Sequence, residues 1–148
     1  MIQALLHVLH NKSKDPSYNG LPEDPSDLYM ELMRQRAKID KYKRRMTISQ
    51  TQYEMFFPPG ENKTNSAEFD FTTIVTLIRV TELLPTFPKT CPSDDDHSIS
   101  AYVRRAMNWR NLLMHTNVGE IDFNFFEEKR KEGTKIVSGL YKKYLEKR

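Results

Sequence analysis

Residues 98–114 carry the pattern that most constrains the fold of this chain. Four apolar side chains and one arginine follow one another there at steps of four, three, four and three: Ile99, Val103, Ala106, Arg110 and Leu113. That spacing places them along one side of an α-helix. No stretch of the chain shows the alternation of apolar and polar residues that is typical of a half-buried strand. The sequence therefore predicts an all-α fold.

Apolar side chains recur with a helical period elsewhere too. Pro25 and the acidic residues around it favour a helix start, and a Thr47–Gln50 pair has the spacing of a capping box. Phe126, Gly133, Val137, Leu140, Tyr141 and Tyr144 are expected on the buried side of the last helix. The predicted helices cover residues 1–10, 25–45, 47–56, 66–84, 98–114 and 123–146.

The expected organisation is one main domain with a short leading segment. Residues 1–24 hold a short helix and a linker with the turn-forming residues Pro16, Asn19–Gly20 and Pro22. Residues 25–148 are expected to form a bundle of four to five helices, long enough to bury a core. A long loop with three prolines, Leu84 to Asp96, separates the two central helices.

Composition and charge restrict the setting and the partners. Cys91 is the one cysteine, so no internal disulfide can form, which favours a reducing, intracellular and specifically cytoplasmic location. No run approaches the ~18 apolar residues of a membrane span, so we expect no membrane insertion. The net charge of +3 is a weak bias. The basic run Lys38–Arg45 is either a nucleic-acid contact or, as we prefer, a solvated helix face.

The sequence offers no metal site or cofactor motif. The four histidines are scattered, there is no cysteine pair, and no glycine-rich phosphate loop is present. The acidic run Asp94–Asp96 could hold a divalent ion, but it lacks the alternating spacing and glycine of a calcium loop. A helix N-cap is the favoured interpretation of that run.

Arg110, Asn111 and His115 are the candidate functional residues. Asn111 and His115 are four apart and share one side of the helix, whereas Arg110 and His115 are five apart and lie roughly 140° around it. The side chains of Arg110 and His115 can meet only if the arginine folds back or the helix loosens near its end. The segment Thr116–Gly119, which follows directly, favours such a loosened end.

The chemistry of this cluster suits RNA. A histidine can exchange a proton near neutral pH, and an arginine can hold a phosphate with two hydrogen bonds. Together they could help an RNA 2′-hydroxyl attack its own phosphate without metal. The alternative is a purely structural arginine ion pair and a histidine at a helix end.

At these residues the chain resembles the HEPN domains (higher eukaryotes and prokaryotes nucleotide-binding). Arg-Asn-x-x-x-His near a helix end is their motif, and the resemblance extends over residues 47–140, to the type found in the DAZ-interacting zinc-finger ubiquitin ligase. The matching residues are Gln52, Phe56-Phe57-Pro58, Ser66, Phe69-Asp70-Phe71-Thr72, Leu77-Ile78-Arg79, Asp96-His97-Ser98, Arg105, Arg110-Asn111, His115, Ile121-Asp122 and Phe125.

The resemblance implies a helical bundle that forms a homodimer, with the arginine and histidine of two subunits lining one cleft. In catalytic members that cleft cleaves RNA without metal, and Arg110, Asn111 and His115 occupy the matching positions. Tyr102 departs from the family, which usually has an acidic residue there. Other members are non-catalytic dimerisation or scaffold modules of innate-immune or ubiquitin-ligase-like proteins, whose protein partners bind through fused domains. Both functions remain as hypotheses.

Overall fold

A computed structural model describes residues 1–12, 20–84, 88, 90–117, 119 and 122–145. Of these, residues 144 and 145 are described by their backbone alone. Within the described residues there are seven α-helices and no strand, which confirms the all-α prediction. The predicted number of four to five helices is too low. The helices are α1 Ile2–Asn11, α2 Pro25–Arg34, α3 Arg36–Arg44, α4 Gln50–Phe56, α5 Phe71–Val80, α6 Ile99–His115 and α7 Phe123–Leu145.

The chain forms two compact units. The N-terminal unit is Ile2–Pro85, and the C-terminal unit is Thr86–Arg148 together with Met1. None of the described helices combines the length and the apolar character that crossing a membrane requires. Several residues named from the sequence lie outside the described part: Pro16, Asn19, Pro85, Ile121 and the side chain of Tyr144.

Aliphatic side chains form the core of the N-terminal unit. The α1 helix packs against α5, and the ring of His10 bonds the carbonyl oxygen of Leu21 and the hydroxyl of Ser66, each at 2.8 Å. These bonds tie α1 to the segments that follow it. The fully buried aliphatic side chains of this unit include Leu5, Leu9, Leu21, Leu28, Leu32, Ile39, Ile74, Leu77 and Ile78.

The single helix predicted over residues 25–45 is interrupted at Gln35. The start at Pro25 is confirmed, and the Asp24 side chain caps it by accepting the N–H groups of Ser26 and Asp27. At Gln35 ψ is 8°, and its N–H is shared between the carbonyls of Glu31 and Leu32. This tighter turn divides α2 from α3. It does not change the spacing of the apolar residues, so the spacing could not predict it.

The predicted capping box at Thr47–Gln50 is wrong by two residues. The hydroxyl of Ser49 accepts the N–H of Gln52, whose side chain accepts the N–H of Ser49. Thr47 instead ends α3, because its N–H bonds the carbonyl of Tyr42 across a left-handed Met46. This is a Schellman motif, so Thr47 belongs to the C-terminal end of α3 and does not cap α4.

The helix predicted over residues 66–84 is shorter at both ends. Ser66–Glu68 is a 3₁₀ turn, and α5 starts at Phe71 because the Asp70 carboxylate accepts the N–H of Thr73 at 2.8 Å. At the other end a left-handed Glu82 closes a second Schellman motif, with the N–H of Leu83 bonding the carbonyl of Ile78. Leu83 is nevertheless buried, so periodicity located a core residue but not the helix end.

The C-terminal unit is built on α6 and α7, which run antiparallel and pack along their length. Both helices lie where the sequence predicts them, and Asp122 caps α7 by accepting the N–H of Phe125 at 2.7 Å. Gly133 and Leu140 of α7 are buried as expected. Phe126 and Tyr141 are exposed instead, because the buried side of α7 follows Gly133, Ile136 and Leu140.

Candidate functional site at the end of α6

Hydrogen bonds hold the start of α6 in place. Ser98 is its N-cap and accepts the N–H of Ala101 at 3.1 Å. The Asp96 carboxylate accepts the N–H of Ser98 at 2.9 Å, and the bonds from Ser98 hold the pKa of Asp96 below its usual value. The guanidinium of Arg105 donates to the carbonyls of Ser93 and Asp96. The N-cap interpretation of the acidic run is therefore wrong by two residues, because Ser98 is the N-cap and Asp96 accepts the N–H of Ser98 itself.

Arg110, Asn111 and His115 all lie in the last two turns of α6. Asn111 and His115 are exposed, and Arg110 is half-buried. The helix remains regular through His115, and Thr116 is its extended C-cap, so the expected loosening before His115 is not observed. On regular α-helical backbone Arg110 and His115 are roughly 140° apart around the axis and about 7.5 Å apart along it. Asn111 and His115 share one side.

Apolar side chains surround this helix end. Leu112 and Met114 of α6 are exposed, and so are Phe123 and Phe126 in the first turn of α7, at 75% and 55%. Phe123 and Phe126 are three apart and share one side of α7. Exposed aromatic side chains so close together in sequence are typical of an interaction surface. Sequence periodicity placed Phe126 in the core, and so it missed this surface.

The two helices are held together by aromatic rings from α6 that lie on glycines of α7. Trp109 packs against Gly133, where an added Cβ would lie 2.8 Å from the ring, and its indole N–H donates to the carbonyl of Lys129 at 2.8 Å. Tyr102 packs in the same way against Gly139. These two contacts fix the register of α6 on α7, and with it the position of the residues at the end of α6.

Tyr102 has a packing role. Its hydroxyl is 3.1 Å from Nδ1 of His97, and the Arg105 guanidinium lies 5.1 Å from its ring centroid. The Arg105 guanidinium therefore contacts the face of the Tyr102 ring and donates to two carbonyl oxygens, and these contacts together hold it beside α6.

A cleft of about 940 Å³ opens on the C-terminal unit, lined by residues of α6, α7 and the segment before α6. Tyr102 and Arg105 contribute to it from α6, and Lys131, Lys135 and Lys142 contribute from α7. Arg110, Asn111 and His115 do not line it. These lysines were not among the residues predicted from the sequence, although their spacing of four and seven residues places them on one side of a helix. Within the described residues, no three His, Cys, Asp or Glu side chains assemble into a group that could hold a metal ion.

A family model described as DZIP3/hRUL138-like HEPN matches residues 25–147. The chain belongs to this HEPN family. The match covers most of the chain and includes all of α2 through α7, and it confirms the resemblance seen in the sequence. Comparison with curated proteins gave no match, and comparison with solved structures gave none either.

Proposed function

We propose that this HEPN domain binds single-stranded RNA and cleaves it without metal at the end of α6. In this reaction the imidazole of one His115 takes the proton of a 2′-hydroxyl, and the oxygen attacks the adjacent phosphorus. The bond from phosphorus to the 5′-oxygen breaks, and a protonated His115 returns a proton to that oxygen. Arg110 holds the phosphate and offsets the charge that develops on it, and Asn111 orients His115 or a phosphate oxygen.

The exposure of His115 on the last turn of α6 is the observation that carries this proposal. A general acid and base must reach a polymer from solvent, and both His115 and Asn111 are accessible on one side of a regular helix. Arg110 is half-buried beside the apolar stripe, which restricts the motion of its side chain. A restricted guanidinium suits the binding of a phosphate through two hydrogen bonds.

A homodimer accounts for the angle between Arg110 and His115. Because about 140° of helix separates them, one copy directs the two side chains to different parts of its surface. A second copy related by twofold symmetry can bring its own Arg110 to the His115 of the first. The exposed Leu112, Phe123 and Phe126 supply apolar area for such a contact next to the cluster. We place this dimer inside the cell, in the cytoplasm.

The exposed apolar side chains also favour a second candidate function. The domain would then be a non-catalytic dimerisation or scaffold module of an innate-immune or ubiquitin-ligase-like protein. Arg110 would strengthen the contact between copies, and RNA would not be bound. Partner proteins would bind through domains fused to this one.

The two functions differ in what Arg110→Ala does. If the domain acts on RNA, the variant loses affinity for a labelled single-stranded RNA, measured by fluorescence anisotropy, while the mass from light scattering remains that of a dimer. If the domain is a scaffold, Arg110→Ala weakens the dimer, and the wild-type protein does not bind the RNA. Arg130→Ala is the control, since it removes an exposed arginine of the same unit that pairs with Glu127.

A further inference from the structure

The C-terminal unit carries a row of lysines that its helix packing leaves exposed. Lys131, Lys135 and Lys142 lie on one side of α7 and line the cleft between α6 and α7. None of the three forms an ion pair with another residue in the described part of the chain. All three side chains are exposed, so a ligand in the cleft can reach them.

Three acidic residues, Asp94, Glu128 and Glu132, also line the cleft. Lys129 lies beside two of them, with its ammonium 2.9 Å from the Glu132 carboxylate and 3.9 Å from that of Glu128. Lys129 is itself held over the ring of Phe125. The row of lysines together with Arg105 and Lys129 outnumbers these three carboxylates, so the net charge in and beside the cleft is positive.

The spacing of the lysines suits a chain of phosphates rather than a single anion. At about 1.5 Å of rise per residue, Lys131 and Lys135 are roughly 6 Å apart along α7 and Lys142 is roughly 10 Å further on. A small anion could contact Lys131 and Lys135 together but not Lys142 as well, whereas a polyanion can contact all three. The hydroxyl of Ser138 lies between Lys135 and Lys142 on the same side and adds a donor for a phosphate oxygen.

We propose that the cleft between α6 and α7 is a second RNA-contact site, which binds the phosphate backbone of a single strand through Lys131, Lys135 and Lys142. This inference rests on the proposed RNA function and adds to it a surface that the Arg110 cluster does not contain. Because Gly133 packs against Trp109 and Gly139 against Tyr102, Lys131 is the lysine nearest to His115 along the helices and Lys142 is the furthest from it. Tyr102, near the far end of the row, is roughly 20 Å from His115 along α6. The cleft thus holds a strand that leads away from the site of cleavage and supplies affinity without base preference.

The test measures binding of a fluorescein-labelled oligouridine to the full chain across a series of salt concentrations. The 2′-hydroxyls of the probe are methylated, so that the proposed reaction cannot consume it. The triple variant Lys131→Gln, Lys135→Gln and Lys142→Gln is expected to bind roughly tenfold to a hundredfold more weakly, and the slope of log affinity against log salt is expected to fall by about 2. Arginine at all three positions keeps the charge and should keep the affinity.

Matched controls separate the cleft from a general effect of charge. Lys41→Gln, Arg44→Gln and Arg45→Gln together remove the same charge from an exposed basic end of α3 and should leave affinity nearly unchanged. Equal losses in the two triple variants would overturn the proposal, as would a loss confined to the α3 variant. Thermal unfolding of each variant shows that the fold is intact.

Failure of this inference can be told apart from failure of the RNA function. If Arg110→Ala weakens RNA binding and the cleft variant does not, the cleft site is wrong and the RNA function stands. If wild type binds no RNA, both are wrong. If the cleft variant loses binding to phosphatidylserine vesicles and wild type ignores RNA, the lysines serve a membrane surface instead, which also overturns the proposal.

Discussion

The ring of Tyr102 lies so close to the backbone of Gly139 that a Cβ at position 139 would stand 2.2 Å from Cε1 of the ring. No side chain can occupy that space unless the ring of Tyr102 shifts or α6 and α7 move apart. The same ring edge is bonded through its hydroxyl to His97. Tyr102 thus packs one helix on another, and this packing requires a glycine across the interface.

Gly139→Ala is expected to destabilise the protein by about 1–2 kcal/mol, because the cost of overpacking exceeds the gain in helix propensity. Chemical denaturation measures the change in the free energy of unfolding. Gly119→Ala is the control, since nothing lies within 4 Å of a Cβ there and its φ is not in the left-handed region. A Gly139→Ala variant as stable as wild type would contradict the tight packing of the Tyr102 ring on Gly139.

Met46→Gly is expected to stabilise the protein by about 1 kcal/mol. Met46 has φ of 59° at the end of α3 and is 90% exposed, so its side chain contributes little packing in return for a strained backbone. Glycine adopts that conformation without a Cβ clash. Met46→Ala keeps the Cβ and should gain nothing. Equal unfolding midpoints for the alanine and glycine variants would contradict this account of the helix end.

Stability in acid should depend on Asp96. Its pKa in the folded protein is lowered from the usual 3.8, chiefly by the hydrogen bond from the Ser98 N–H. The stabilisation is therefore fully present above that usual value and is lost as the pH falls through the lower folded pKa. Asp96→Asn keeps an acceptor without a titrating group, so its unfolding midpoint should fall less than that of wild type below pH ~4.

Asp95→Asn is the control for Asp96, because the Asp95 carboxylate accepts no hydrogen bond from a described residue. It should follow the wild-type pH profile. If Asp95→Asn and Asp96→Asn flatten the profile equally, the effect belongs to the general negative charge of the loop and not to the bond that begins α6.

Phe126→Glu is expected to convert a dimer into a monomer, measured by light scattering, without loss of helical content. Phe126 is exposed beside the Arg110 cluster, and a carboxylate there would be desolvated in an apolar contact between copies. Tyr141→Glu makes a similar change at an exposed aromatic further along α7 and should leave the dimer intact. A monomeric wild type, or dimers in both variants, would contradict the proposed contact surface.

The periodic spacing of apolar residues sufficed to predict the fold class and the two long helices α6 and α7, because their buried side chains recur regularly. It failed to predict helix ends and interruptions that depend on the local backbone conformation. Gln35 interrupts a helix by a tightened turn, and left-handed Met46 and Glu82 end helices at positions where glycine would have been the expected signal. Neither device changes the apolar pattern, so neither could be predicted from it.

The sequence predicted where the candidate residues lie on α6 but not what surrounds them. Arg110 and His115 come from the motif, and their functional role stays a prediction; the half-burial of Arg110 follows from its place in the apolar stripe. The pairing of Tyr102 with Gly139, and the cleft that Lys131 and Lys135 line, depend on which side of α7 faces α6. That choice was misjudged at Phe126, whose apolar side chain faces solvent.

Cleavage of a labelled single-stranded RNA in EDTA, with wild type beside His115→Ala, tests the central claim most directly. The account predicts that wild type cuts the RNA and leaves cyclic-phosphate ends, that an otherwise identical strand with 2′-deoxy sugars is not cut, and that His115→Ala folds and dimerises normally but does not cleave. Full activity in His115→Ala would contradict the role of this histidine. A stable wild-type dimer that leaves the RNA intact would contradict the catalytic function and favour the scaffold.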